Sequence, residues 1–66
     1  MKRFEPDRFY RPTDPEMRLI ATAGTLAIWR HEGRGPGYVK MGGRVLYEGA
    51  TLNRWIDERR VEPAAA

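Results

Sequence analysis

Apolar positions in this chain fall in short groups, and the spacing within each group changes from one stretch to the next. Over residues 1–12, Phe4, Phe9 and Tyr10 are interleaved with Lys2, Arg3, Arg8 and Arg11, and Pro6 and Pro12 interrupt any helix. This reads as an extended basic and aromatic arm. The alternative is a frayed terminus whose aromatics pack on the domain, Phe9 and Tyr10 doing so while residues 1–6 stay mobile. Thr13-Asp14-Pro15-Glu16 is a helix start, with Thr13 or Asp14 suited to the N-cap, Pro15 near the first helical position and Glu16 in the first turn. A short helix over about 15 to 20 follows, and Met17, Leu19 and Ile20 supply one buried face. Thr22 then caps a second helix over roughly 23 to 31, in which Leu26 and Trp29 lie three apart and share a face. Gly33, Gly35, Pro36 and Gly37 stop it.

Tyr38-Val39-Lys40-Met41 and Arg44-Val45-Leu46-Tyr47 are rich in β-branched and aromatic residues, and Gly42-Gly43 joins them. Two glycines allow the positive φ angles of a type I′ turn, so a β-hairpin is expected. Alternation puts Val39 and Met41 on one face with Lys40 on the other; on the second strand Val45 and Tyr47 face the core while Arg44 and Leu46 face outward. From Thr51 to about Arg60, Leu52, Trp55, Ile56 and Arg59 form a single stripe, the mark of an amphipathic helix. Residues 62–66 read as a flexible tail. The expected order is helix, helix, hairpin, helix: a small α+β fold, with one domain over residues 13–61.

Composition narrows what such a domain does. A chain of 66 residues buries only about 60% of the surface its unfolded form exposes, which leaves little room for a deep substrate cleft. It has no Cys and a single His, which excludes disulfides and Cys/His zinc sites. No stretch approaches the roughly 20 apolar residues of a membrane helix, and the N-terminus lacks the apolar run of a secretory signal, so a soluble intracellular protein is expected. The net charge of +3 is unevenly spread: residues 23–49 carry four basic and two acidic side chains, whereas residues 50–66 carry three of each. His31 has no Ser, Cys or second His to work with, and reads as a phosphate contact or a helix C-terminal charge. Asp57 and Glu58 are adjacent and so diverge on a helix, with Arg54, Arg59 and Arg60 as surface partners. No catalytic constellation, cofactor site or small-molecule substrate is indicated.

Two short helices and a basic hairpin make a winged helix-turn-helix pattern, and the ordered motifs make it more specific. Thr25-Leu26, Trp29-Arg30, Gly33-Arg34-Gly35-Pro36, Tyr38-Val39-Lys40, Gly42-Gly43-Arg44-Val45-Leu46-Tyr47 and Leu52-Asn53-Arg54-Trp55 together resemble the MerR-like DNA-binding modules of phage and mobile-element excisionases. The resemblance spans residues 13–60. It implies a protein of the bacterial cytoplasm, associated with the nucleoid, that bends attachment-site DNA so that an integrase assembles for excision, acting beside neighbouring copies of itself. A transcriptional regulator with the same module is the alternative role, and a protein-interaction adaptor is the alternative of another class.

Physical chemistry adds named candidates for contact with double-stranded DNA. Gly42 and Gly43 offer bare backbone N–H groups at the wing tip, and Lys40 and Arg44 flank it together on the outward face, with Val39 and Met41 inward, as phosphate or minor-groove contacts. The alternative for both is an ordinary solvated strand residue. On the second helix Thr22, Thr25, Arg30 and His31 are the polar groups available to DNA. Relatives often carry Arg or Lys where this chain has Gly24, Ala27 and Ile28, so few groups remain to read base edges at about 1–3 kcal/mol each, and modest intrinsic specificity follows. Ile28 either packs on a neighbouring protein or, with Ala27, touches thymine methyls, and Leu46 is a candidate protein contact against a harmless single exposed leucine as the alternative. Trp29, Tyr47 and Trp55 read as core anchors rather than stacking platforms for bases.

Overall fold

The computed structural model describes residues 3–63, so Lys2 of the expected arm and 64–66 of the expected tail lie outside the described residues. Strand β1 (Phe9–Tyr10) leads into a single 3₁₀ segment (Pro15–Leu19), then helix α1 (Ala23–Glu32), strands β2 (Val39–Met41) and β3 (Arg44–Glu48), and helix α2 (Gly49–Glu58). The result is a small α+β fold of two helices and a three-stranded antiparallel sheet in the order β1-β3-β2.

Helix α1 follows its local signals. The Thr22 hydroxyl accepts a hydrogen bond from the Thr25 amide at 3.2 Å, and Gly33 closes the helix in the left-handed region at φ 75°. The segment before it does not become an α-helix. Asp14 makes no side-chain cap; its carboxylate turns back to accept from the Arg11 amide at 3.0 Å, and the Ile20 amide bonds to Met17 O in the tighter 3₁₀ pattern.

The arm is part of the core. Phe4 is 5% exposed and Tyr10 2%, and with Met17, Leu26, Tyr47 and Leu52 they form the buried cluster of the domain. Full burial of one such leucine stabilises by about 1.5–3 kcal/mol. Tyr10 pairs with Tyr47 across β1 and β3, and the Tyr10 ring meets Phe4 edge to face at 4.9 Å. Asn53 grips the backbone of Phe4 from both sides, accepting from its N–H at 3.0 Å and donating to its carbonyl at 2.8 Å. The arm also closes the start of α2, because the Gly49 and Ala50 amides donate to the carbonyls of Arg8 and Pro6. Residues 3–12 therefore supply capping groups, a strand and two core aromatics, rather than a separate arm. Of the two aromatics expected to pack, Tyr10 does so and Phe9 is 44% exposed.

The hairpin forms where expected, with two differences. Positive φ falls on Gly42 (61°) but not on Gly43, the pattern of a type II′ turn rather than type I′. The inward phase of β2 is also reversed. Register pairs Lys40 with Val45 and Val39 with Leu46, and directly opposed residues of an antiparallel pair share a face. Val45 and Tyr47 do face the helices, so Lys40 shares their face, while Val39 and Met41 lie on the outer face with Arg44, Leu46 and the exposed Phe9.

Candidate nucleic-acid interface

Backbone geometry sets where the candidate residues stand. Leu26 is the fully buried residue of α1, and Trp29 and Arg30, three and four positions on, lie half-buried on the same side. The opposite side presents Gly24, Ala27, Ile28 and His31 to solvent, with Ile28 55% exposed. Thr22 is exposed at the cap and Thr25 is half-buried beside it, their hydroxyls 3.1 Å apart. The outward face of α1 thus carries His31 and, at its last position, the acidic Glu32, and the two threonine hydroxyls are already engaged with each other.

Arg30 points the other way. Its Nη1 donates to the Tyr47 hydroxyl at 2.8 Å, and its guanidinium lies 5.8 Å from the centre of the Tyr38 ring. It stands at the junction of α1 with the hairpin, apart from His31. Sequence spacing carried the signal for this, since a residue four after a buried leucine lies on the leucine's face.

At the hairpin tip, Lys40, Gly42, Gly43 and Arg44 are all exposed, and neither cation pairs with a described acidic residue. By register they lie on opposite faces of the ribbon rather than together on the outward one. Elsewhere many cations are neutralised: Arg3 with Asp57, Arg8 with Glu16, Arg34 with Glu32, Arg59 with Glu58 and Arg60 with Asp57. Arg54, expected as a surface partner of Asp57 and Glu58, makes no such pair. Leu46 is half-buried on the outer sheet face.

The aromatic anchors divide. Tyr47 is buried, whereas Trp29 and Trp55 are half-buried and face each other 6.0 Å apart, with Arg59 over Trp55 at 3.9 Å. Among the described residues no three of His, Asp and Glu come together as a metal site requires, and no helix is long and apolar enough to cross a membrane.

A scan against protein-family models, a search of curated proteins and a search of solved structures each find no match to this chain.

Proposed function

We propose that this protein is a DNA-binding module of winged helix-turn-helix type, with the hairpin β2–β3 as the wing and α1 as the helix that enters the major groove. The observation that carries the reading is the hairpin tip. It has a bare Gly42-Gly43 turn with Lys40 and Arg44 beside it, both exposed and unpaired with any described acid. A cation on each face suits a ribbon lying in a groove, because a groove has a sugar-phosphate wall on either side. Glycine at the turn lets the backbone approach one wall closely.

The resemblance in the motifs from Thr25 to Trp55 extends this to an excisionase, a recombination directionality factor that bends attachment-site DNA with an integrase and neighbouring copies. The bare face of α1 accords with that role. A helix whose outward polar side chains are His31 and Glu32 discriminates bases poorly, and several tethered weak contacts restore selectivity. The same module would also serve a transcriptional regulator of a mobile element. Recombination and reporter assays on the same DNA separate these two roles.

The test is duplex binding at low salt. Purified protein should retard a duplex at micromolar concentration, and log K should fall with log salt by about 0.9 per phosphate contacted, a shallow slope for so few cations. Arg44→Ala should weaken binding across all sequences without unfolding the domain. An adaptor that uses α1 for a protein partner is favoured by the 55% exposure of Ile28. It predicts no retardation and a stable complex with a protein instead.

A further inference from the structure

Beside the loop between α1 and β2 lies an open cleft of about 330 Å³, lined by Arg30, Arg34, Tyr38 and the glycines and proline of residues 33–37. Two arginines line it and no acidic residue does, although the Glu32 carboxylate stands 2.8 Å from Arg34 Nε at its edge. Arg30 is held in place, and Arg34 is tethered at the surface. Arg30 bonds to the hydroxyl of Tyr47, a residue only 1% exposed. A phenol is a neutral acceptor, so the bond fixes the guanidinium without cancelling its charge and leaves most of its five N–H donors available. Arg34 is held through Nε, which donates to Glu32 at 2.8 Å outside the lining, and its guanidinium lies 6.0 Å from the Trp29 ring. Glu32 offsets part of the Arg34 charge, and the terminal amino groups of Arg34 donate to no described residue.

The loop itself is set by glycine. Gly33 and Gly35 take φ of 75° and 90°, and a Cβ on Gly35 would come within 2.8 Å of Trp29 Cε3. The Trp29 ring and the buried Pro36 thus fix the loop from beneath. Prearranged donors of this kind lose little freedom when a ligand arrives, and planar guanidinium forks match the oxygens of a phosphate.

We propose that this cleft is a phosphate-binding site, with Arg30 and Arg34 as its ligands and Tyr47 as the residue that positions Arg30. It rests on the DNA-binding reading for its source of phosphate, the duplex backbone; free phosphate is the other source of the same chemistry. Arg30 and Arg34 then hold the duplex beside the wing without reading sequence.

The experiment titrates the full chain with a mixed-sequence duplex over a range of salt, and separately with inorganic phosphate followed by amide NMR. Arg34→Gln, a change at an exposed side chain, should lower duplex affinity several-fold whatever the sequence and flatten the salt slope by about 0.9. Arg30→Gln should do the same. Tyr47→Phe should lower affinity while the slope is kept, since the charge remains and only its aim is lost. Phosphate should shift the amides of Gly33, Gly35, Gly37 and Tyr38, and Arg34→Gln should abolish those shifts. Phosphate shifts with an unchanged duplex slope assign the site to free phosphate. Duplex binding that is indifferent to Arg30→Gln and Arg34→Gln, with no phosphate shifts in this loop, overturns the site while the DNA reading stands. A wild-type chain that binds no duplex overturns the DNA reading, and the phosphate titration then decides the cleft alone.

Discussion

The two helices have the same length, ten residues each, and are held in opposite ways. α1 ends on its own chemistry: the Thr22 hydroxyl begins it and left-handed Gly33 stops it. α2 has no side-chain cap at Glu48, and its first amides are satisfied by carbonyls of Pro6 and Arg8, about forty residues earlier. Further along, Asn53 holds the Phe4 backbone and Asp57 pairs with Arg3. One helix is locally specified and leaves a bare face; the other is a docking strip for the start of the chain. A helix whose ends need nothing from the rest of the fold can leave one face to a partner. A helix whose amides are capped from afar is committed to the core.

This contrast breaks first at Gly49. The residue is buried, and a Cβ there would overlap the carbonyl oxygen of Glu5. Neither backbone can yield without losing the hydrogen bonds that close α2. Gly49→Ala should therefore cost about 3 kcal/mol, which for a domain of this size lowers Tm by roughly 15 °C; urea unfolding checks it. Thr22→Ala tests the other helix and should cost about 1 kcal/mol, with Thr22→Ser recovering most of it. If the Thr22 change proved the larger of the two, the assignment of α1 as the lightly tethered helix would be wrong.

What was legible in the sequence follows the same division. The Thr22 cap, the Gly33 stop and the Gly42-Gly43 turn are local features, and each appears where its residues predict it, whereas α2 runs from Gly49 to Glu58 rather than from Thr51 to about Arg60 and leaves Arg59 of the expected stripe beyond its end. The arm was not legible as core, because its meaning depends on Asn53 and Gly49, residues more than forty positions away that carry no local sign of a partner. The phase of β2 was legible and misread. A two-residue turn sets Met41 opposite Arg44, so once Val45 and Tyr47 face inward, Tyr38 and Lys40 must share their face. The β-branched Val39 looked like the inward residue, whereas the inward aromatic is Tyr38, whose ring lies 6.1 Å from Tyr47. For the candidate site, the exposed tip was readable from its glycines and cations. The cleft was not, because it needs the Arg30–Tyr47 bond across seventeen residues and a loop conformation fixed by Trp29.

The smallest expected effect is the one that distinguishes the helices by pH. The hydrogen bond from Arg3 holds the Asp57 carboxyl below its ordinary value of 3.8, and the charges of Arg3 and Arg60 add to it against a partial loss of solvation. A carboxylate whose folded-state pKa is depressed contributes stability that is present above the unfolded value and is lost as pH falls through the folded one. Acid should therefore act on the link between α2 and the arm, beginning as pH drops below 3.8. The pair is open to solvent, so the change in global stability is slight, and hydrogen exchange is the better measurement. The Phe4 amide, which donates to Asn53, and the Gly49 and Ala50 amides, which donate to the arm, should lose protection in that window in the wild-type chain. In Asp57→Asn they should start less protected and stay level as pH falls, because the carboxylate that titrates is gone. α1 has neither an acidic residue in its first turn nor an ion pair to another element, so its protection should not follow the same curve. Loss of protection in both helices together would mean that the arm, α2 and α1 open as one unit.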